Sequence, residues 1–127
     1  FRTIWLAQDG FRVCMIDQTR LPFRFETVTL VSAEQAATAI TTMIVRGAPL
    51  IGATAAYGVA LAMRADASDA ALEAALALLG ATRPTAVNLH WALARMRHRL
   101  APLSPEARAQ SAYAEAAAIC DEDVALC

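Results

Sequence analysis

An α+β fold is predicted for this sequence, with a small N-terminal three-stranded antiparallel sheet packed on a five-helix bundle. Three observations carry the prediction. Apolar residues alternate before residue 31, the strand period, and recur every three or four residues after it, the helix period. Asp9-Gly10 stands between two such alternating runs, the strongest short hairpin signal a sequence offers. Residues 50–63 hold no charged side chain, so the helix they form is expected to be buried on every side at the centre of a bundle.

The elements follow in order. Thr3–Gln8 and Phe11–Ile16 read as the first two strands, and a two-residue turn between them pairs Leu6 with Val13, Trp5 with Cys14 and Ile4 with Met15. Pro22 interrupts the pattern, and Phe25–Leu30 reads as the third strand. Ser32-Ala33-Glu34-Gln35 fits a capping box, so the first helix is expected from Ser32 to about Val45, with Ala36, Ile40, Met43 and Ile44 as its apolar stripe. The second is expected from Pro49 to Arg64, where Gly52, Ala55, Ala56 and Gly58 let neighbouring helices approach. The third starts at Ser68, presents Leu72, Leu76 and Leu79, and stops at Gly80. The fourth follows Pro84 with Leu89, Leu93, Met96 and Leu100 in one stripe, and the fifth opens on Ser104-Pro105, a capping residue followed by proline. No Ser- or Gly-rich linker divides the β-meander (1–30) from the helical bundle (31–127), so the two are expected to pack as one unit.

Composition narrows the function classes. The chain has 127 residues, 57% of them hydrophobic, and a net charge of −1. Such a chain is too apolar for disorder and lacks the basic excess of a nucleic-acid or membrane-surface binder. Every basic residue is Arg, which reads as compositional bias rather than chemistry. Cys14, Cys120 and Cys127 are odd in number and without CxxC spacing, which disfavours a disulfide framework or zinc site. The uncharged stretch Ala48 to Met63 is too short and too rich in Gly and Ala to span a bilayer. With no signal-peptide pattern, a cytoplasmic protein is expected. Phe1 lies at the edge of a strand pattern and Cys127 inside a helical one, so the sequence is expected to belong to a longer chain.

Chemistry concentrates at the loops. Arg46-Gly47-Ala48-Pro49 and Arg83-Pro84-Thr85 each place an Arg beside a Pro. Three helices begin at a serine, but the second begins at Ala48, which caps nothing. Gly47 allows close backbone approach, and an uncapped helix start next to a guanidinium suits an anion, phosphate above all. Water on those N–H groups and a surface carboxylate on Arg46 are the plain alternative. Asp17-Gln18-Thr19 reads as a strand-to-loop turn, and Arg95, Arg97, His98 and Arg99 as solvated charge at a helix end. His90 and His98 are too far apart for paired helical metal ligands, and Cys120 and Cys127 fit a core stripe. Asn88 and Trp91 share a helix face, where Asn88 is either a buried polar group or a partner for a sugar hydroxyl.

These motifs together resemble the methylthioribose-1-phosphate isomerase family, within the wider initiation-factor-2B α/β/δ-like group. The resemblance rests on Ile16-Asp17-Gln18-Thr19-Arg20-Leu21-Pro22, Met43-Ile44-Val45-Arg46-Gly47-Ala48-Pro49, Ile51-Gly52, Ala55-Ala56-Tyr57-Gly58, Arg83-Pro84-Thr85-Ala86-Val87-Asn88-Leu89 and Trp91-Ala92. It covers nearly the whole chain, with Leu50 standing where the family usually has Ala. It implies that residues 1–127 are the N-terminal domain of a two-domain isomerase whose Rossmann-like catalytic domain is absent here. It further implies that Arg46, Gly47, Ala48 and Arg83 bind the phosphate end of a sugar phosphate. No metal or redox cofactor is implied, nor a nucleic-acid or membrane partner, and the full-length protein is expected to be a homodimer. The family's catalytic Cys and Asp lie in the other domain, so no catalytic residue is assigned to this chain, Cys14, Cys120, Cys127 and Asp17 included. Ribose-1,5-bisphosphate isomerase and the non-catalytic regulatory subunits of the initiation-factor exchange complex share the ancestry and stand as alternatives.

Overall fold

The computed structural model describes residues 4–7, 11–16, 27–41, 48–84 and 86–123. Strands β1 (Ile4–Leu6), β2 (Val13–Ile16) and β3 (Thr27–Leu30) precede helices α1 (Ala33–Thr41), α2 (Ala48–Ala65), α3 (Asp69–Gly80), α4 (Val87–Leu100) and α5 (Pro105–Asp123). The β1–β2 register is Ile4↔Met15, Trp5↔Cys14 and Leu6↔Val13, the pairing expected from the Asp9-Gly10 signal, although those two residues lie outside the described ones. β2 pairs antiparallel with β3, Val13 opposite Leu30. Ile4, Val13 and Leu30 are buried and join the same core as the helices.

Helix α2 is the hub of the bundle, packing against each of the other four helices. Every residue from Ile51 to Leu61 is buried, including Thr54. A helix without charges has no face that gains from water, so surrounding it removes the most apolar surface. Its small residues set how closely the neighbours come. A Cβ on Gly58 would stand 2.9 Å from the Ala36 methyl and 3.1 Å from Leu79 Cδ1, so α1, α2 and α3 meet where no side chain fits.

Half of the capping box of α1 is formed: Ser32 Oγ accepts from the Gln35 N–H, while Gln35 Oε1 reaches one residue beyond the cap and accepts from the Val31 N–H at 2.7 Å. Ser32 is thus the cap and Ala33 the first helical residue; Met43, Ile44 and Val45 lie outside the described residues. Ser68 caps α3 through the Ala71 N–H. One expectation is corrected here. Ala48 is the first residue of α2, not the position before it, so Pro49 is one place further in than expected. Proline is tolerated at either place, because no N–H of the first turn has an intrahelical partner to lose.

The termini of the helices are tied by side chains that cross between elements. Arg108 of α5 is only 2% exposed, and its guanidinium donates to the carbonyls of Leu100, Ala101 and Ala67 at 2.9–3.0 Å. It also pairs with Asp69 at 2.6 Å. One buried cation therefore closes the end of α4 and the turn between α2 and α3. At the sheet, the Tyr113 hydroxyl donates to the Phe11 carbonyl at 2.8 Å, and the Arg64 guanidinium lies 3.6 Å over the Phe11 ring.

Candidate anion-binding end of the bundle

The connection from α3 to α4 carries Arg83. Its first residues are pinned to α3: the Ala81 N–H donates to Ala77 O, and the Thr82 hydroxyl and N–H both donate to Leu79 O. Ala86 N–H donates to Arg83 O and leads into α4. The half-buried Arg83 side chain points to the end of α1, where Nε and Nη2 donate to Ile40 O at 3.4 Å each. Helix α1 has no basic residue in its own last turn, so Arg83 supplies the cation its carbonyl end favours. The two contacts are long, and they leave the Nη1 end of the guanidinium for another acceptor.

Helices α2 and α4 begin side by side. A Cβ on Gly52 would meet Asn88 O at 3.0 Å and the Ala92 methyl at 3.4 Å, so glycine is needed for the first turns to lie this close. The residue before α4 is Ala86, in extended backbone with no side-chain cap. The sequence singled out the start of α2 and missed this start of α4. Its signal was Ala86, a residue without a capping side chain, standing just before the apolar run. Ala48 and Arg83 thus lie at the same end of the bundle; Arg46 and Gly47 lie outside the described residues.

The other candidates are dispersed. Arg97 pairs with Glu73 at 2.9 Å on open surface, while Arg95 and Arg99 both reach Glu115. The basic run is therefore a set of ion pairs linking α4 to α3 and α5. Trp91 is 45% exposed and carries the Arg95 guanidinium 5.4 Å over its ring, so it is not a buried packing partner for the half-buried Asn88. Cys120 is in the core and Cys14 is half-buried on the sheet; Asp17, Gln18, Thr19 and Cys127 lie outside the described residues. Among the described residues no group of three or more His, Cys, Asp or Glu could hold a metal. No helix among them is long and apolar enough to cross a membrane. A groove of about 400 Å³ between α1 and α3 is lined by Glu34, Thr38, Leu78 and Thr82, among others. The Thr38 and Thr82 hydroxyls already donate to Glu34 O and Leu79 O, so the groove presents little to orient a polar ligand.

Comparison with known proteins gives this arrangement a family. A methylthioribose-1-phosphate isomerase of Rhodospirillum centenum is 65% identical over 126 residues, 99% of this chain and 34% of that protein. Its namesake in Methylobacterium nodulans is 61% identical over 127 residues, 100% of this chain and 35% of that protein. The chain therefore spans about a third of the length of the curated relatives it matches. The crystal structure of 5-methylthioribose 1-phosphate isomerase from Pyrococcus horikoshii superposes with a TM-score of 0.84 at 37% identity, covering 97% of this chain and 36% of that one. A structure of the translation initiation factor eIF-2B, subunit delta, from A. fulgidus superposes with a TM-score of 0.86 at 36% identity, covering 98% and 38%. The family model of the initiation factor 2 subunit family matches residues 44–127, from just before the Arg46 loop through α5. On this match and these relatives, the chain belongs to the initiation factor 2 subunit family.

Proposed function

We propose that this chain is the N-terminal, substrate-binding part of an S-methyl-5-thioribose-1-phosphate isomerase. The full-length enzyme would interconvert 5-methylthioribose 1-phosphate and 5-methylthioribulose 1-phosphate in methionine salvage. The observation that carries the reading is the 65% identity over 99% of the chain to an isomerase of that name. Fold alone is neutral, because the isomerase and the initiation-factor subunit superpose about equally well. Near-complete coverage by the latter keeps a non-catalytic regulatory subunit as the second reading.

In the proposed enzyme, Arg46, Gly47, Ala48 and Arg83 hold the phosphate. Support comes from the adjoining starts of α2 and α4, the first turn of α4 without a side-chain cap from Ala86, and the Nη1 end of Arg83 that the Ile40 contacts leave over. Peptide dipoles and N–H groups at a helix start favour an anion, and an Arg beside them adds a charge-assisted bond. Aldose–ketose isomerisation opens the ring and moves hydrogen from C2 to C1. This chain's contribution is to fix the substrate by its phosphate, which is borne on C1, so that the grip orients the reacting carbons directly. The groups that move the hydrogen belong to a Rossmann-like domain beyond these residues, and the full-length protein is a cytoplasmic homodimer.

The test is steady-state kinetics on the full-length protein. Arg46→Ala and Arg83→Ala should each weaken substrate binding by about 1.5–3 kcal/mol, and Arg46→Lys should restore only part of it. Arg97→Ala, which removes an open surface pair, should be nearly silent. Turnover by the 127-residue chain alone would show that the catalytic groups are misplaced. A full-length protein with intact folding and no turnover would favour the regulatory reading.

A further inference from the structure

Among the described residues, the α3–α4 connection is fixed at both ends by backbone bonds and is held at Pro84 by the side chain of His90. Thr82 is tied to α3 and Ala86 to Arg83, but Pro84 has no N–H, so its carbonyl is the group through which the turn can be held between them. That carbonyl lies 3.0 Å from His90 Nε2. A carbonyl only accepts, so Nε2 carries the hydrogen and donates it. The imidazole reaches Pro84 by lying across the last residue of α3: its Cε1 and Nδ1 stand 3.7 and 3.9 Å from where a Cβ of Gly80 would be. His90 itself is exposed, and its backbone N–H continues α4 by donating to Ala86 O. One ring thus spans from α4 to both sides of the turn that carries Arg83.

We infer that His90 is a positioning residue for Arg83, clasping the Pro84 carbonyl so that the guanidinium is presented to the substrate's phosphate. The inference rests on the proposed role of Arg83 and goes beyond it by naming what places that side chain. Arg83 needs such support because its two contacts to Ile40 O are at 3.4 Å, too long to hold a flexible side chain in one pose. Its location is therefore set by its backbone, and a small displacement of that backbone is enough to weaken the guanidinium's grip on the phosphate. The exposed ring contributes little to the core, so its loss should be felt at the site and not in global stability.

Kinetics on the full-length enzyme with 5-methylthioribose 1-phosphate tests this. His90→Ala should raise KM about fivefold, the equivalent of one ordinary hydrogen bond, with kcat within twofold and the melting temperature nearly unchanged. His90→Gln, whose amide reaches as far as Nε2, should recover most of the loss. Arg83→Ala should raise KM more, and adding His90→Ala to it should change nothing further, because the histidine acts through the arginine. An unchanged KM in His90→Ala beside a raised one in Arg83→Ala would overturn the clasp and leave the site reading intact. A fivefold loss that persists in the Arg83→Ala background would also overturn it, by showing that His90 acts on its own. A silent Arg83→Ala would overturn the site reading, and this inference with it.

Discussion

Arg108→Met replaces the buried guanidinium by a shorter apolar chain and removes its donors from the carbonyls of Leu100, Ala101 and Ala67, of which Leu100 O keeps another, the Leu103 N–H. Each bond to a charged group contributes about 1.5–3 kcal/mol in isolation, but the three are not additive. Ala101 is exposed and water can replace the donor there, and Leu100 O keeps the Leu103 N–H, so the carbonyl of the half-buried Ala67 bears most of the loss. A net loss of about 2–3 kcal/mol follows, a sizeable part of the roughly 5–15 kcal/mol a domain possesses. With an m-value of about 2 kcal/mol/M, the urea midpoint of this chain should fall by about 1–1.5 M, read by far-ultraviolet circular dichroism. Asp69→Asn is the comparison. The carboxylate is 89% exposed, so the ion pair should account for under about 1 kcal/mol. If Asp69→Asn proves as damaging as Arg108→Met, or if Arg108→Met shifts the midpoint by under about 0.5 M, the carbonyl bonds are not what holds the helix ends together.

Gly58→Ala should destabilise by about 1–2 kcal/mol in the same assay, since overpacking against Ala36 and Leu79 exceeds the helix-propensity gain. Gly80→Ala meets only ordinary contacts at 3.6–3.9 Å and should be neutral or slightly stabilising; equal stability of the two variants would refute the packing argument. Asp66 is held below its ordinary value of 3.8, first by the Ser68 backbone N–H and then by the Ser68 side chain. A depressed carboxylate pKa gives stability that is complete above 3.8 and is lost as pH falls from there through the lower folded-state value. Asp66→Asn should therefore flatten the acid limb of a stability–pH profile by slightly lowering its neutral plateau towards the acid value. An unchanged acid limb would exclude this group.

The hairpin register and the central helix were legible because each follows from local rules. A two-residue Asp-Gly turn admits one pairing, and an uncharged stretch of this length can only be surrounded. Ala86, Arg108 and His90 were not legible as what they are, because their roles depend on which carbonyls and helix ends tertiary packing brings near them. Arg108 did leave a trace. It lies on the same stripe as Ala112, Ala116, Ile119 and Cys120, all buried, and a charge heading an apolar stripe signals a cation with dedicated partners. Gly80 was read as a helix stop and α3 does end there, although its φ is not in the left-handed region that glycine often supplies at a helix end. Of the proposed phosphate site, Arg83 was legible as a positive group at a loop, but not its attachment to the end of α1.

The bond from Tyr113 to Phe11 joins residues 102 positions apart. A ribosome adds about 5–20 residues each second, so the first strands wait roughly 5–20 s for the helix that seats them. During that interval α2, which α5 packs against, has its apolar surface open to water. The nascent chain therefore passes through a stage in which its stickiest segment is already synthesised and its cover is not. Synonymous codons that slow translation between residues 65 and 105 would prolong that stage, giving chaperones more to bind and neighbouring chains more time to aggregate.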